Sequence, residues 1–129
     1  MSGNYYRNRA NLLHAGELSV AELQAEVSNL LADKIHGLSF SPYITGQGPG
    51  TQITEQQIHQ RLRLIAPHVK WVRTFSCTEG NELIPKIAAE YGLKTLVGVW
   101  LEADVENNEK ELANAIEIAK DGYAESLSV

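Results

Sequence analysis

The sequence predicts an α/β fold: the first four β-strands of a (β/α)8 TIM barrel with three connecting helices, preceded by one extra helix. Three observations predict it. Apolar residues switch repeatedly between helical spacing and short continuous runs. Gly, Pro and Asn punctuate the switches. The repeats are also of barrel size: 33 residues separate Leu38 from Trp71, 24 separate Trp71 from Thr95, and 31 separate Thr95 from Ser126. An eight-unit barrel of about 250 residues needs roughly 30 per unit. A doubly wound sheet has similar units, so spacing leaves both open. The loop after the first strand argues against it, because Pro42-Tyr43-Ile44-Thr45-Gly46 carries no Gly-rich phosphate fingerprint at a helix start.

Residues 1–18 are polar and aperiodic and read as an arm. A leading helix follows over 19–34, where Ser19 and Glu22 form a capping-box pattern and Val20, Leu23, Val27, Leu30 and Leu31 recur on one face. The repeating part spans 36–129. Its first strand is expected over Leu38–Tyr43, closed by Pro42, with Gly46, Gly48, Pro49 and Gly50 in the loop beyond. Thr54 and Gln57 then cap a helix, Ile53 is placed to staple onto Ile58, and Ile58, Leu62, Ile65 and Val69 form its buried stripe. The second strand is expected over Trp71–Ser76. A helix from about Glu82 to Tyr91 follows, with Pro85 in its first turn and Gly92 at its C′ position. Thr95–Leu101 is an apolar run suited to a buried parallel strand. The last helix is expected to follow Asn107 or Asn108, to carry Leu112, Ala115, Ile116 and Ala119, and to end at Gly122. A fourth strand is expected over Glu125–Val129.

Composition is that of an ordinary globular domain of 129 residues, 43% hydrophobic and 21% charged. A formal charge of −5 argues against a nucleic-acid partner, which needs a basic face. The lone Cys77 excludes an internal disulfide and reads as a small strand-end residue rather than a nucleophile. Residues 1–15 are polar and do not resemble a signal peptide, and no apolar run approaches the ~20 residues of a membrane span. The compartment stays open.

The strand ends collect the chemistry. Phe40 and Tyr43 are placed at the end of strand one, Arg73 and Phe75 on strand two, and Trp100 and Glu102 at the end of strand three. Aromatic rings interleaved with hydrogen-bonding groups suit a sugar, whose C–H face stacks on a ring while its hydroxyls find polar partners. Arg73, read as lying inside a buried strand, is expected to need a carboxylate partner from a neighbouring strand end. No ligand cluster suggests a metal, and no metal or organic cofactor is expected.

As a set, His36-Gly-Leu-Ser-Phe-Ser-Pro-Tyr43, Gly46-Gln-Gly-Pro49, Val72-Arg-Thr-Phe-Ser76, Ile87-Ala-Ala-Glu-Tyr-Gly-Leu-Lys94 and Val97-Gly-Val-Trp-Leu101 resemble the bacterial branch of glycoside hydrolase family 17. These are (β/α)8 β-1,3-glucanases and glucan transglycosylases, and the resemblance covers about residues 36–129. It implies retaining chemistry by two glutamates, one protonating the leaving oxygen and one attacking the anomeric carbon. In the family the first lies in a Gly-Asn-Glu that continues strand four, and the second follows strand seven. Neither falls within the chain, so the resemblance implies an amino-terminal half-barrel, inactive alone, whose free edges favour a homodimer. Gly80-Asn81-Glu82 has the same three letters but opens a helix after the second strand, where Glu82 suits the helix dipole. Plant members carry tyrosine where Phe40 and Phe75 stand, so two hydroxyls are missing here. The alternatives from the residues themselves are a non-catalytic α/β module that binds carbohydrate or protein, and a barrel glycosidase of another family.

Overall fold

The computed structural model of the chain describes residues 15–128. Most of the expected polar arm, and Val129 of the expected fourth strand, lie outside the described residues. The chain divides into two units after Asp33.

In the first unit a single 3-10 turn, Ala15–Glu17, precedes helix α1, Val20–Ala32. The capping box forms as expected: the Ser19 hydroxyl accepts the Glu22 N–H, and the Glu22 carboxylate accepts the Ser19 N–H at 2.8 Å and its hydroxyl at 2.6 Å. Those bonds hold the Glu22 carboxyl below its usual range. No residue of α1 is buried.

The second unit alternates strand and helix: β1 (Ile35–Ser39), α2 (Glu55–Ile65), β2 (Val69–Arg73), a 3-10 turn (Asn81–Leu83) running into α3 (Ile84–Glu90), β3 (Lys94–Gly98), α4 (Val105–Lys120) and β4 (Ser126–Ser128). All strand pairs are parallel and the sheet order is β1-β2-β3-β4. The helices share one face. Val72 packs with Ile58 and Leu62 of α2 and with Ile84 and Ile87 of α3, while Val97 packs with Ala115 and Ile118 of α4. Val72 is in register with Thr95, and Thr95 and Val97, two residues apart, point the same way. A doubly wound sheet reverses its strand order and covers both faces. Among the described residues of the second unit the order does not reverse, and its helices cover one face. On the opposite face, Ser39, Arg73, Leu96 and Ser126 fall in one register row.

The first three strands begin one to three residues before their expected starts and end three or four residues before their expected ends. Val69 belongs to β2, not to the helical stripe before it. The ladder continues one residue beyond β1 and β2, through Phe40 N–H to Arg73 O and Thr74 N–H to Leu96 O, and the chain then turns out to build a cleft. At Gly98 the chain after β2 lies too close for a side chain, since a Cβ there would collide with the Thr74 carbonyl. Its N–H donates to the Thr74 hydroxyl at 3.1 Å, satisfying a buried side chain.

Helix signals hold better. The Thr54 hydroxyl accepts the Gln57 N–H, and Ile53 and Ile58 are buried in one cluster as a staple requires. The Gln57 side chain does not complete a capping box; it donates to the Pro42 carbonyl at 2.7 Å and pairs with Gln47, folding the β1–α2 loop. Gly92 takes the left-handed conformation past α3. The expected start of α4 is corrected. Its N-cap is Asp104, whose carboxylate accepts the Asn107 N–H. Its buried face is Glu111, Ala115 and Ile118, and Leu112, Ile116 and Ala119 are exposed.

Candidate functional site

A cleft of about 420 Å³ opens at the carboxyl ends of β1, β2 and β3. Five of the six candidates line it: Phe40, Tyr43, Phe75, Trp100 and Glu102. They arrive from three different loops. Pro42 ends the β1 ladder, Gly98 lets β3 approach β2 before Trp100, and the Asn108 side chain clasps the Glu102 backbone, accepting its N–H at 2.9 Å and donating to its carbonyl at 2.8 Å.

The aromatic set divides by exposure. Trp100 is 57% exposed and Phe75 41%, so both have ring surface free for a ligand. Tyr43 is half-buried. Phe40 is only 6% exposed and packs into the cluster of Ile53, Ile58 and Val72, so it supports the cleft wall from behind. Its role as an open stacking ring is corrected on that ground.

Arg73 is not in the cleft. It lines a second hollow on the sheet face opposite the helices, with Trp71, Leu96 and Ser126. The expectation of a buried arginine needing a carboxylate does not hold. Arg73 is exposed, and its guanidinium sits 5.0 Å from the Phe75 ring centroid. That is cation–π range, and it leaves the charge in contact with water, which removes the electrostatic demand for an ion pair.

The two left-handed residues Glu79 and Gly80 shape the cleft's other side. Glu79 holds φ at 59°, unusual for a non-glycine residue. Its carboxylate accepts the Gly50 N–H at 2.7 Å and its carbonyl accepts the Ile53 N–H at 2.9 Å, tying the loop after β2 to the loop after β1. Glu82 accepts the Gly80 N–H at 2.8 Å in the turn before α3. It does not line the cleft.

The residue that sequence reasoning missed is Glu111. It is fully buried at the inner end of the cleft, on α4, and its carboxylate accepts four hydrogen bonds. Oε1 receives the hydroxyls of Ser76 at 2.5 Å and Thr78 at 2.8 Å. Oε2 receives the backbone N–H groups of Cys77 at 2.8 Å and Trp100 at 3.1 Å. One turn on, Asn114 donates to the Cys77 carbonyl at 2.6 Å. The signal in the sequence was spacing: Glu111 stands four residues before Ala115 and seven before Ile118, on the face that packs inward.

Cys77 itself is inert. It is fully buried, its Sγ contacts the Gly98 carbonyl at 3.4 Å, and burial, then the charges of Glu111 and Glu82, push its thiol up to about 12. A thiolate is disfavoured there. Among the described residues no group of three or more His, Cys, Asp and Glu side chains is placed to hold a metal, and no helix is long and apolar enough to cross a membrane. Searches of family models, of curated proteins and of solved structures found no match for this chain.

Proposed function

We propose that this chain provides part of the sugar-binding cleft of a (β/α)8-barrel glycosidase of the retaining type, acting on β-1,3-glucan as an endo-glucanase or a transglycosylase. One observation carries the proposal: the exposed rings of Trp100 and Phe75 and the Tyr43 side chain line a single cleft beside Glu102, Asn81 and Asn107, at the carboxyl ends of parallel strands. Open rings give a pyranose its stacking surface. Amide and carboxylate groups between them suit its hydroxyls. In barrel enzymes this end of the strands carries the chemistry. A sequential, all-parallel strand order with helices on one face suits a barrel arc, as does the apolar flank of Val105, Leu112 and Ile116 left exposed on α4.

The described residues bind sugar on this proposal and do not cleave it. The bond-breaking glutamates are those that the family resemblance places after strands four and seven. Titration of the purified chain with laminari-oligosaccharides, followed by tryptophan emission and calorimetry, tests it. Trp100→Ala should weaken binding about tenfold, close to the 1.4 kcal/mol of one good ring contact. Laminarin should release no reducing sugar. Unchanged affinity in Trp100→Ala would sink the cleft assignment, and hydrolysis abolished by Glu82→Gln would overturn the dismissal of that residue.

A further inference from the structure

We infer that Glu111 is the positioning residue of the cleft, holding Trp100 and the Ser76–Thr78 turn in binding geometry by bridging the carboxyl ends of β2 and β3. The inference rests on the cleft being a sugar site, but its structural arm stands apart from that. Trp100 is 57% exposed, so packing does little to place its ring. The hydrogen bond from its backbone N–H to Glu111 ties the start of its loop to the same oxygen that receives the Cys77 N–H. Across the cleft end, the other oxygen gathers Ser76 and Thr78, and the Ser76 hydroxyl oxygen also accepts the Thr78 N–H at 3.2 Å. A single carboxylate therefore sets the spacing between the walls contributed by two strands. Nothing about this requires it to touch the sugar.

The bonding pattern makes a specific forecast about substitutions. Backbone N–H groups can only donate, whereas hydroxyls rotate to donate or accept. Glutamine at 111 can therefore turn its carbonyl oxygen to Cys77 and Trp100 and its two N–H groups to Ser76 and Thr78. Leucine can do neither. Aspartate keeps the charge but is one methylene short, so it reaches one strand end and not both.

The test uses the whole chain carrying Trp71→Phe, which leaves Trp100 as the sole tryptophan of two. Amide hydrogen exchange is read at Cys77 and Trp100, with Thr74, whose N–H bonds the Leu96 carbonyl, as the sheet reference. In Glu111→Gln, protection at both amides, Trp100 emission and laminaripentaose affinity should stay within about threefold of the parent. In Glu111→Leu, both amides should exchange about a hundredfold faster while Thr74 stays protected, and affinity should fall at least tenfold. If Glu111→Leu does not fold, Glu111→Asp replaces it, and should expose one of the two amides with a similar loss of affinity. Full protection and unchanged Trp100 emission in whichever of these two is read would overturn the inference. So would a glutamine variant as damaged as leucine. If the parent binds no oligosaccharide, the sugar assignment fails, and the exchange and emission results decide the role of Glu111 by themselves.

Discussion

Helices α2 and α4 lay their inner faces on the same side of one sheet, and what they bury is different. α2 buries Ile58 and Leu62, a purely apolar stripe against Val69 and Val72. α4 buries Ala115 and Ile118 and, in line with them, the Glu111 carboxylate. Burying a charge costs far more than burying a methyl unless every lone pair is met. Here four donors meet it. The difference shows that the buried face of α2 serves packing alone, while α4 packs through its second half and builds the cleft with its first.

That contrast breaks most directly under paired substitutions. Leu62→Ala should cost about 2–5 kcal/mol by loss of transfer energy and a residual cavity, without altering oligosaccharide affinity once the folded fraction is allowed for. Glu111→Leu should cost a similar amount for another reason, since two backbone N–H groups lose their partner at about 1–3 kcal/mol each. Urea unfolding of both variants alongside sugar titration separates them. Equal binding losses in the two would erase the distinction between the helices.

The next effect is one of pH. The Cys77 thiol is raised in the folded chain from an ordinary 9.0 to about 12, first by burial and then by Glu111 and Glu82. A raised folded value favours the protonated form, so the contribution is fully present below pH 9 and is lost as pH climbs toward 12. Compared with Cys77→Ala, the parent should lose up to about 1.4 kcal/mol more per pH unit across that window. Denaturation of the pair at several alkaline pH values measures it; a constant difference would mean that Cys77 is not held neutral by its surroundings.

A smaller effect sharpens the lesson about buried polar groups. Thr95 is 1% exposed, and its hydroxyl has no hydrogen-bond partner among the described residues. Thr95→Val should therefore be neutral or stabilising by about 1 kcal/mol, the opposite sign to Glu111→Leu. A clear loss of melting temperature would indicate a partner for that hydroxyl. Of similar size are the caps. Thr54→Ala on α2 and Asp104→Ala on α4 should each cost about 1 kcal/mol, because both side chains accept an N–H at the third helical position. A much larger loss in one would show that its first turn is coupled to the cleft.

Element order, breakers and the N-caps of α1 and α2, though not that of α4, were legible in the sequence because each is a local interaction. Ser19 with Glu22, Thr54 before Gln57, and Gly92 past α3 act within a few residues of themselves, and no distant contact can easily override them. The grouping of Tyr43, Phe75, Trp100 and Glu102 at strand ends was legible too, since parallel strands separated by helices bring every carboxyl end to one side. The rest depended on which neighbours arrive. Phe40 and Phe75 have the same side chain and similar strand-end positions and both line the cleft, yet one is buried in the core and the other is exposed, because α2 and α3 cover only one face of the sheet. Arg73 was expected to be buried and is exposed for the same reason. Spacing with Ala115 and Ile118 puts Glu111 on the inward face of α4, but its role was not legible: its donors lie 11 to 35 residues away in the chain, and only tertiary packing brings them to a single carboxylate.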